Sequence, residues 1–247
     1  MKVFLYDGSF EGMLSTFFHI LKSRESFCSI EKSGLDRPVL FSESEFIPTD
    51  NLNAQYIAKA ICSKISVFSF QNIIYSFLSE KNRIEDLLFR YIICGFRIGA
   101  DTDRHLSNKT VYSVNEISRK VSFECHKLKG LLRFSELRDG SLYAPVEPDY
   151  NIVSILSKHF ERRLCNEVWM INDVKRGHAV FYRNHNLEYL EVKDIEITKN
   201  TYSEQESTYR QLWKAYFESI AIRERTNPKL QRAFMPQRYW KYLTEKN

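Results

Sequence analysis

Leu131–Val146, LLRFSELRDGSLYAPV, is the stretch that decides the fold class. Two short apolar-leaning runs, Leu131–Leu137 and Leu142–Val146, flank Arg138-Asp139-Gly140. An Asp-Gly turn between strand-length runs reads as a β-hairpin, because glycine reaches a positive φ without a Cβ clash. Downstream, Glu147-Pro148-Asp149 is expected to start a helix that ends near Arg163. Val168–Asp173 and Ala179–Tyr182 form a second hairpin around Lys175-Arg176-Gly177, and Leu187–Val192 alternates as a further strand. A long helix is expected from about Glu204 to Arg225. The class is α+β, with antiparallel hairpins packed by helices.

The chain then runs into a basic, aromatic tail. Thr226 or Asn227 caps a short helix with Pro228 at its first position, and Pro236 opens another. Leu230 and Phe234, four apart, are expected to face the body of the protein, with Trp240 and Leu243 as anchors and Arg238 and Lys241 pointing elsewhere. The tail is thus expected to close the C-terminal part as a helical clasp.

Upstream, Ser113-Val-Asn-Glu116 reads as a capping box for a helix that carries Val114, Ile117, Val121, Cys125 and Leu128 on one stripe and stops at Gly130. The polar stretch 100–110 divides the chain into an N-terminal part, 1–108, and a C-terminal part, 109–247. In the former, strand Lys2–Tyr6, a helix from Phe10 to Lys22 capped by Ser9, a loop over 31–38 and a strand at Val39–Phe41 suggest a βαβ unit. Helices follow: one capped by Asp50, then Phe68–Leu78 and Ile84–Phe96, the last stopped by Gly99.

Charge narrows the partner. Residues 1–110 hold 13 basic and 13 acidic side chains, so the formal net charge of +5 resides in the second half. There it concentrates in 119–133, whose one acid is Glu124, and in 209–247, with nine basic residues against Glu218, Glu224 and Glu245. Two basic clusters in one half fit a polyanion. The five cysteines are odd in number, widely spaced and without a C-x-x-C, which disfavours a disulfide framework and a closed zinc site. No apolar run reaches the length of a membrane span, and MKVFLYDGSFEG lacks a signal-peptide core, so the expected location is cytoplasmic, with no membrane partner.

Several residues are candidates for chemistry. Glu147 and Asp149, near Tyr143, are placed to act as acid, base or metal ligand, or else to cap the following helix. His126 and His159 are candidate bases or hydrogen-bonded structural residues; His178 and His185 lack zinc-ligand spacing. Candidate phosphate contacts are Lys127, Lys129 and Arg133 in the first basic cluster, Lys175 and Arg176 on the hairpin tip, and Arg223, Arg225, Lys229, Arg232 and Arg238 in the tail. Each has the alternative of a solvated surface charge. Asp7-Gly8-Ser9 reads as an anion site or a plain turn and cap.

Five stretches carry a resemblance: YDGSFEG (6–12), HKLKGLLRF (126–134), LYAPVEPDYNIVSILSKHF (142–160), DVKRGHAVFY (173–182) and ERTNPKLQRAFMPQRYW (224–240). The chain resembles the family of bacterial "probable DNA metabolism proteins", nearly end to end, and the last stretch is the most specific. A departure is His178, where an aromatic Tyr is common. The resemblance implies work in DNA metabolism or repair beside a radical-SAM partner protein; related domains occur fused to uracil-DNA glycosylase-like domains. The chain has neither the C-x-x-x-C-x-x-C of radical-SAM enzymes nor the glycosylase motifs G-x-x-P-G and H-P-S-P. It therefore looks like a partner of those enzymes. The expected function is a DNA-repair accessory protein that binds DNA through its basic C-terminal face, with no cofactor or metal. An enzyme acting on damaged or modified nucleotides and a pure protein-docking subunit remain the alternatives.

Overall fold

A computed structural model describes residues 2–25, 28–34, 43–192 and 201–246. The chain condenses into two compact units, Met1–Ser122 and Phe123–Asn247, that divide within one long helix. The polar stretch 100–110 holds a 3-10 turn at Thr102–Arg104 and runs into the first residues of that helix.

In the first unit, β1 (Lys2–Tyr6) is the centre of a parallel sheet, between β2 (Cys28–Lys32) and β3 (Ser44–Phe46). The turn after β1 is built by short polar side chains. Asp7 accepts from the Ser9 amide and hydroxyl and from the Thr49 hydroxyl, while Ser9 caps α1 (Phe10–Ser23) by accepting from the Gly12 amide. The α1 crossover makes β1 and β2 parallel, as the βαβ reading expects. The parallel partner of β1 is at 28–32, ahead of and overlapping the start of the assigned loop; the strand expected at Val39–Phe41 lies outside the described residues. The sequence of β2, CSIEK, carries little apolar signal. It is held by the ladder to β1 and by Asp86, which accepts from the Ile30 amide.

Three helices complete this unit: α2 (Asn51–Lys64), capped by Asp50, α3 (Val67–Phe77) and α4 (Ile84–Ile98). Their apolar faces enclose Phe17, Ile61, Ile73, Leu88 and Ile92. Buried polar groups are paired, as burial demands. The Tyr6 hydroxyl donates to Glu85, and Asp103 gathers Ser66, Ser69, Asn72 and Tyr91.

The long helix α5 (Lys109–Leu131) buries Val114, Ile117, Val121, Cys125 and Leu128 as its stripe predicts. The capping-box expectation is corrected. Asn108 accepts from the Thr110 and Val111 amides, so the helix starts a turn earlier and Ser113 lies inside it; Glu116 pairs forward with Arg119 and Lys120.

The second unit has a mixed sheet in the order β4-β5-β6-β7-β8, formed by Ser135–Glu136, Leu142–Val146, Trp169–Asp173, His178–Arg183 and Asn186–Glu191. β4–β5 is the Asp-Gly hairpin, with Gly140 at φ 81°, and β6–β7 is the second hairpin. The pair β5–β6 is parallel, however, so the sheet is not hairpins alone. Between them lies α6 (Val153–Arg163), and a helical crossover returns the chain in the same direction. Phe160 on α6 meets Phe134, which meets Trp169, and Trp169 stacks on its cross-strand partner Tyr182. The helix α7 (Glu206–Ile220) is shorter than expected, followed by a 3-10 turn at Arg223–Arg225, then α8 (Pro228–Phe234), capped by Asn227, and 3-10 turns over Gln237–Tyr242 and Thr244–Lys246.

A Cβ on Gly12 would lie 2.1 Å from Asp7 Oδ1 and 2.8 Å from Thr49 Oγ1, whereas one on Gly130 meets nothing within 4 Å. Gly12→Ala is therefore expected to cost about 1–3 kcal/mol in urea denaturation. Gly130→Ala should be neutral or gain up to about 1 kcal/mol, since helical glycine is entropically costly.

Candidate functional site

The carboxylates singled out from the sequence sit in the second unit on residues 147–150, between β5 and α6. This segment is held from three directions. From α5, Glu124 is buried and its two oxygens accept from the amides of Asp149 (3.0 Å) and Tyr150 (3.1 Å). From the β6–β7 turn, Arg176 donates to the carbonyls of Pro148 and Asp149 while it pairs with buried Asp173 at 2.9 Å. From the tail, Arg238 bridges Glu124 and Asp149 at 2.9 and 2.8 Å, and the Tyr239 hydroxyl donates to Glu124. One step further along, Tyr242 and Lys241 both reach Glu147 at 2.6 Å.

This bracing overturns the capping reading of Glu147 and Asp149. α6 begins at Val153, after Ile152, with no side-chain cap. The Asp149 and Tyr150 amides that would enter a helix starting at 147–149 are held by Glu124 instead. Tyr143 is buried, and its hydroxyl accepts from the Asn172 amide.

The tail is a clasp, with Leu243 an anchor as expected and Tyr239 an anchor that was not. Tyr239 and Leu243 are buried. Trp240 is half-buried and donates its ring N–H to the Met235 carbonyl. Leu230 and Phe234 are exposed, not packed on the body. Arg238 and Lys241, expected to point elsewhere, carry the ion pairs just described. Near the end of the tail, Glu245 accepts from Arg133 (2.8 Å) and from the Trp213 ring N–H (2.9 Å).

The candidate cations separate into two groups. Arg133, Arg176 and Arg238 are spent on carboxylates and carbonyls within the unit, and Lys127 donates to the Ala233 carbonyl. Lys129 is half-buried on α5, and Lys175 is exposed on the hairpin tip. Arg223, Arg225, Lys229 and Arg232 all lie exposed between α7 and the clasp, and Arg232 donates to the Pro228 carbonyl of its own helix. His126 is exposed. His159 packs edge-on against Phe160, and burial followed by the charges of Lys129, Arg163 and Arg162 holds its pKa below the usual value, which favours the neutral ring. Among the described residues, no cluster of His, Cys, Asp and Glu side chains is arranged to hold a metal, and no helix is long and apolar enough to cross a membrane.

Sequence reasoning missed Glu124, the centre of the arrangement. A signal was present: Glu124 occupies the i+3 position after Val121, on the edge of the buried stripe and inside an otherwise basic run. An acid there must find donors, because a carboxylate left unpaired in the interior is too costly to keep charged.

The sequence model of a family described as "Domain of unknown function (DUF4130)" matches residues 82–245. The chain belongs to that family. The match takes in Glu124, the 147–150 segment and the clasp, so the whole of this arrangement lies within the family's domain. No curated protein and no solved structure matches the chain.

The ion pair of Lys241 and the hydrogen bond of Tyr242 hold the Glu147 carboxyl below its usual pKa. Burial opposes the charge on Glu245, yet its own amide, Trp213 and Arg133 outweigh it and lower that pKa too. Depressed carboxyl pKa values mean stability that is complete above the unfolded-state value and lost as pH falls through the folded one. The stability difference between the native chain and Glu147→Gln, read from urea midpoints, should be constant from neutral pH down to about 5 and shrink below about 4.5. A difference that persists unchanged at pH 3 contradicts the ion-pair role.

Proposed function

We propose that this chain is a nucleic-acid-binding accessory protein of DNA metabolism, whose contact surface is the exposed basic segment between α7 and the clasp. The observation that carries this reading is the arrangement of Arg223, Arg225, Lys229 and Arg232, four exposed cations against the single acid Glu224. The carboxylates elsewhere in the unit have already taken Arg133, Arg176 and Arg238, whereas these four stay exposed within one short stretch. Arginine forks and lysine point charges neutralise backbone phosphates without reading sequence. Tyr209, Trp213 and Tyr216 on α7 add partly exposed rings, which suit the stacking of unpaired bases. The resemblance to DNA-metabolism proteins points the same way. Glu147 and Asp149, held by Lys241 and Arg238, serve here to brace the clasp, which weighs against the alternative of an enzyme acting on damaged nucleotides.

A second reading has its own observation. Tyr209, Leu212, Tyr216 and Ile220 follow one another at helical spacing on α7 and all are more than half exposed. An apolar stripe left in water marks a protein-binding surface. The partner that the resemblance suggests is a radical-SAM protein, with the chain acting as its docking subunit.

Fluorescence anisotropy with labelled single- and double-stranded DNA across a salt series separates the two. The nucleic-acid reading expects affinity that falls steeply with salt, and a Lys229→Ala/Arg232→Ala variant whose salt slope is lower by about 2 with weaker binding to every sequence. Binding that ignores salt, or that survives the double substitution intact, overturns it. Loss of partner capture in Leu212→Ser/Tyr216→Ser, with DNA binding retained, supports the docking reading instead.

A further inference from the structure

A cleft of about 330 Å³ opens in the second unit beside the clasp, and its charged lining is of one sign. Arg133, Arg210, Lys214 and Lys241 line it together with Tyr202 and Tyr242, and among the described residues none that lines it is acidic. We infer that this cleft binds a phosphate group. It is a separate site from the exposed basic segment and does not rest on the nucleic-acid reading.

The cations are held in place before any ligand arrives. Arg210 pairs through Nε with Glu206 at 2.7 Å, donates through Nη2 to Ser135 Oγ at 2.8 Å, and lies over the Tyr202 ring. Arg133 is fixed by Glu245 and by the carbonyls of Gly130 and Leu132, and lies over Trp213. Its Nε–H is covered and has no acceptor among the described residues, so the guanidinium is incompletely satisfied there. Lys241 is drawn to Glu147. The three carboxylates stand outside the lining, where they orient the cations without filling the cleft. Lys214, one turn after Arg210 on α7, has no partner among the described residues. Such preorganised convergence lowers the cost of ordering side chains around an anion. Forked arginines, lysines and hydroxyls fit phosphate oxygens. The volume is at the lower end of small-ligand sites, and the two tyrosines offer ring surface beside the charge. The ligand class is therefore a phosphate monoester, carried by a free nucleotide or by the 5′ end of a strand.

The test is a titration of the full chain, followed by Trp fluorescence and calorimetry, with inorganic phosphate, a deoxynucleoside 5′-monophosphate, a 5′-phosphorylated trinucleotide and the same trinucleotide without phosphate. Saturable binding of the phosphorylated probes is expected, weakened about tenfold by Lys214→Ala and further by Lys214→Glu. Lys214 is exposed, so these variants should fold normally; circular dichroism checks this. Lys229→Ala/Arg232→Ala should leave the mononucleotide titration unchanged even where it weakens the trinucleotides, which separates this cleft from the basic segment. A mononucleotide that matches the phosphorylated trinucleotide assigns the site to a free nucleotide, and a tighter trinucleotide assigns it to a strand end. No saturation by any phosphate probe, equal binding of the unphosphorylated trinucleotide, or an unaffected Lys214→Glu variant overturns the inference.

Discussion

Glu124 is the constraint on which the second unit depends. It is a buried carboxylate that collects two backbone amides, a guanidinium and a phenol. A charge in that position is tolerable because its lone pairs are filled. The same bonds settle three separate matters. They keep 147–150 out of the helix that follows, they fix where α6 starts, and they give the tail a place to dock. Removing such a centre costs more than the sum of its hydrogen bonds, because the donors are stranded with it; a loss on the order of 3 kcal/mol is the usual scale.

That centre also sorts the basic residues. A count of Lys and Arg in residues 209–247 makes the tail look like a uniform polycation. In the fold, Arg238 and Lys241 are consumed by Asp149, Glu124 and Glu147, and Arg133 by Glu245. What is left is an exposed segment around α8 and a cleft floored by oriented cations. The clasp thus does two jobs: it neutralises acids that would repel a polyanion, and it holds its neighbours in position.

Local signals in the sequence carried most of the elements. Ser9, Asp50 and Asn227 cap the helices that their types announce, and Asp139-Gly140 makes its hairpin turn, because each acts on amides two or three residues away. The α+β class and the stripe of α5 follow from the same short-range patterns. What failed was decided over distance. The start of α6 depends on a carboxylate 25 residues earlier, and the orientation of Arg238 on one 114 residues earlier. The parallel pairing of β5 and β6 needs the crossover to be seen as a whole. Leu230 and Phe234 have helical spacing but no apolar surface to meet, and spacing alone cannot supply one. The cleft was illegible for the same reason, since Arg133, Arg210 and Lys241 come from three places in the chain.

Hydrogen–deuterium exchange of Glu124→Gln against the native chain tests the account most directly. The side chain of Gln keeps the shape but sets a donor against one of the two amides, Asp149 or Tyr150, that the carboxylate holds. Exchange should be faster in peptides covering 147–152 and 236–246 together, with the β6–β7 hairpin unchanged. Equal protection of both segments in the two proteins would contradict it, and Glu124 would then be an occupant of the unit rather than its centre.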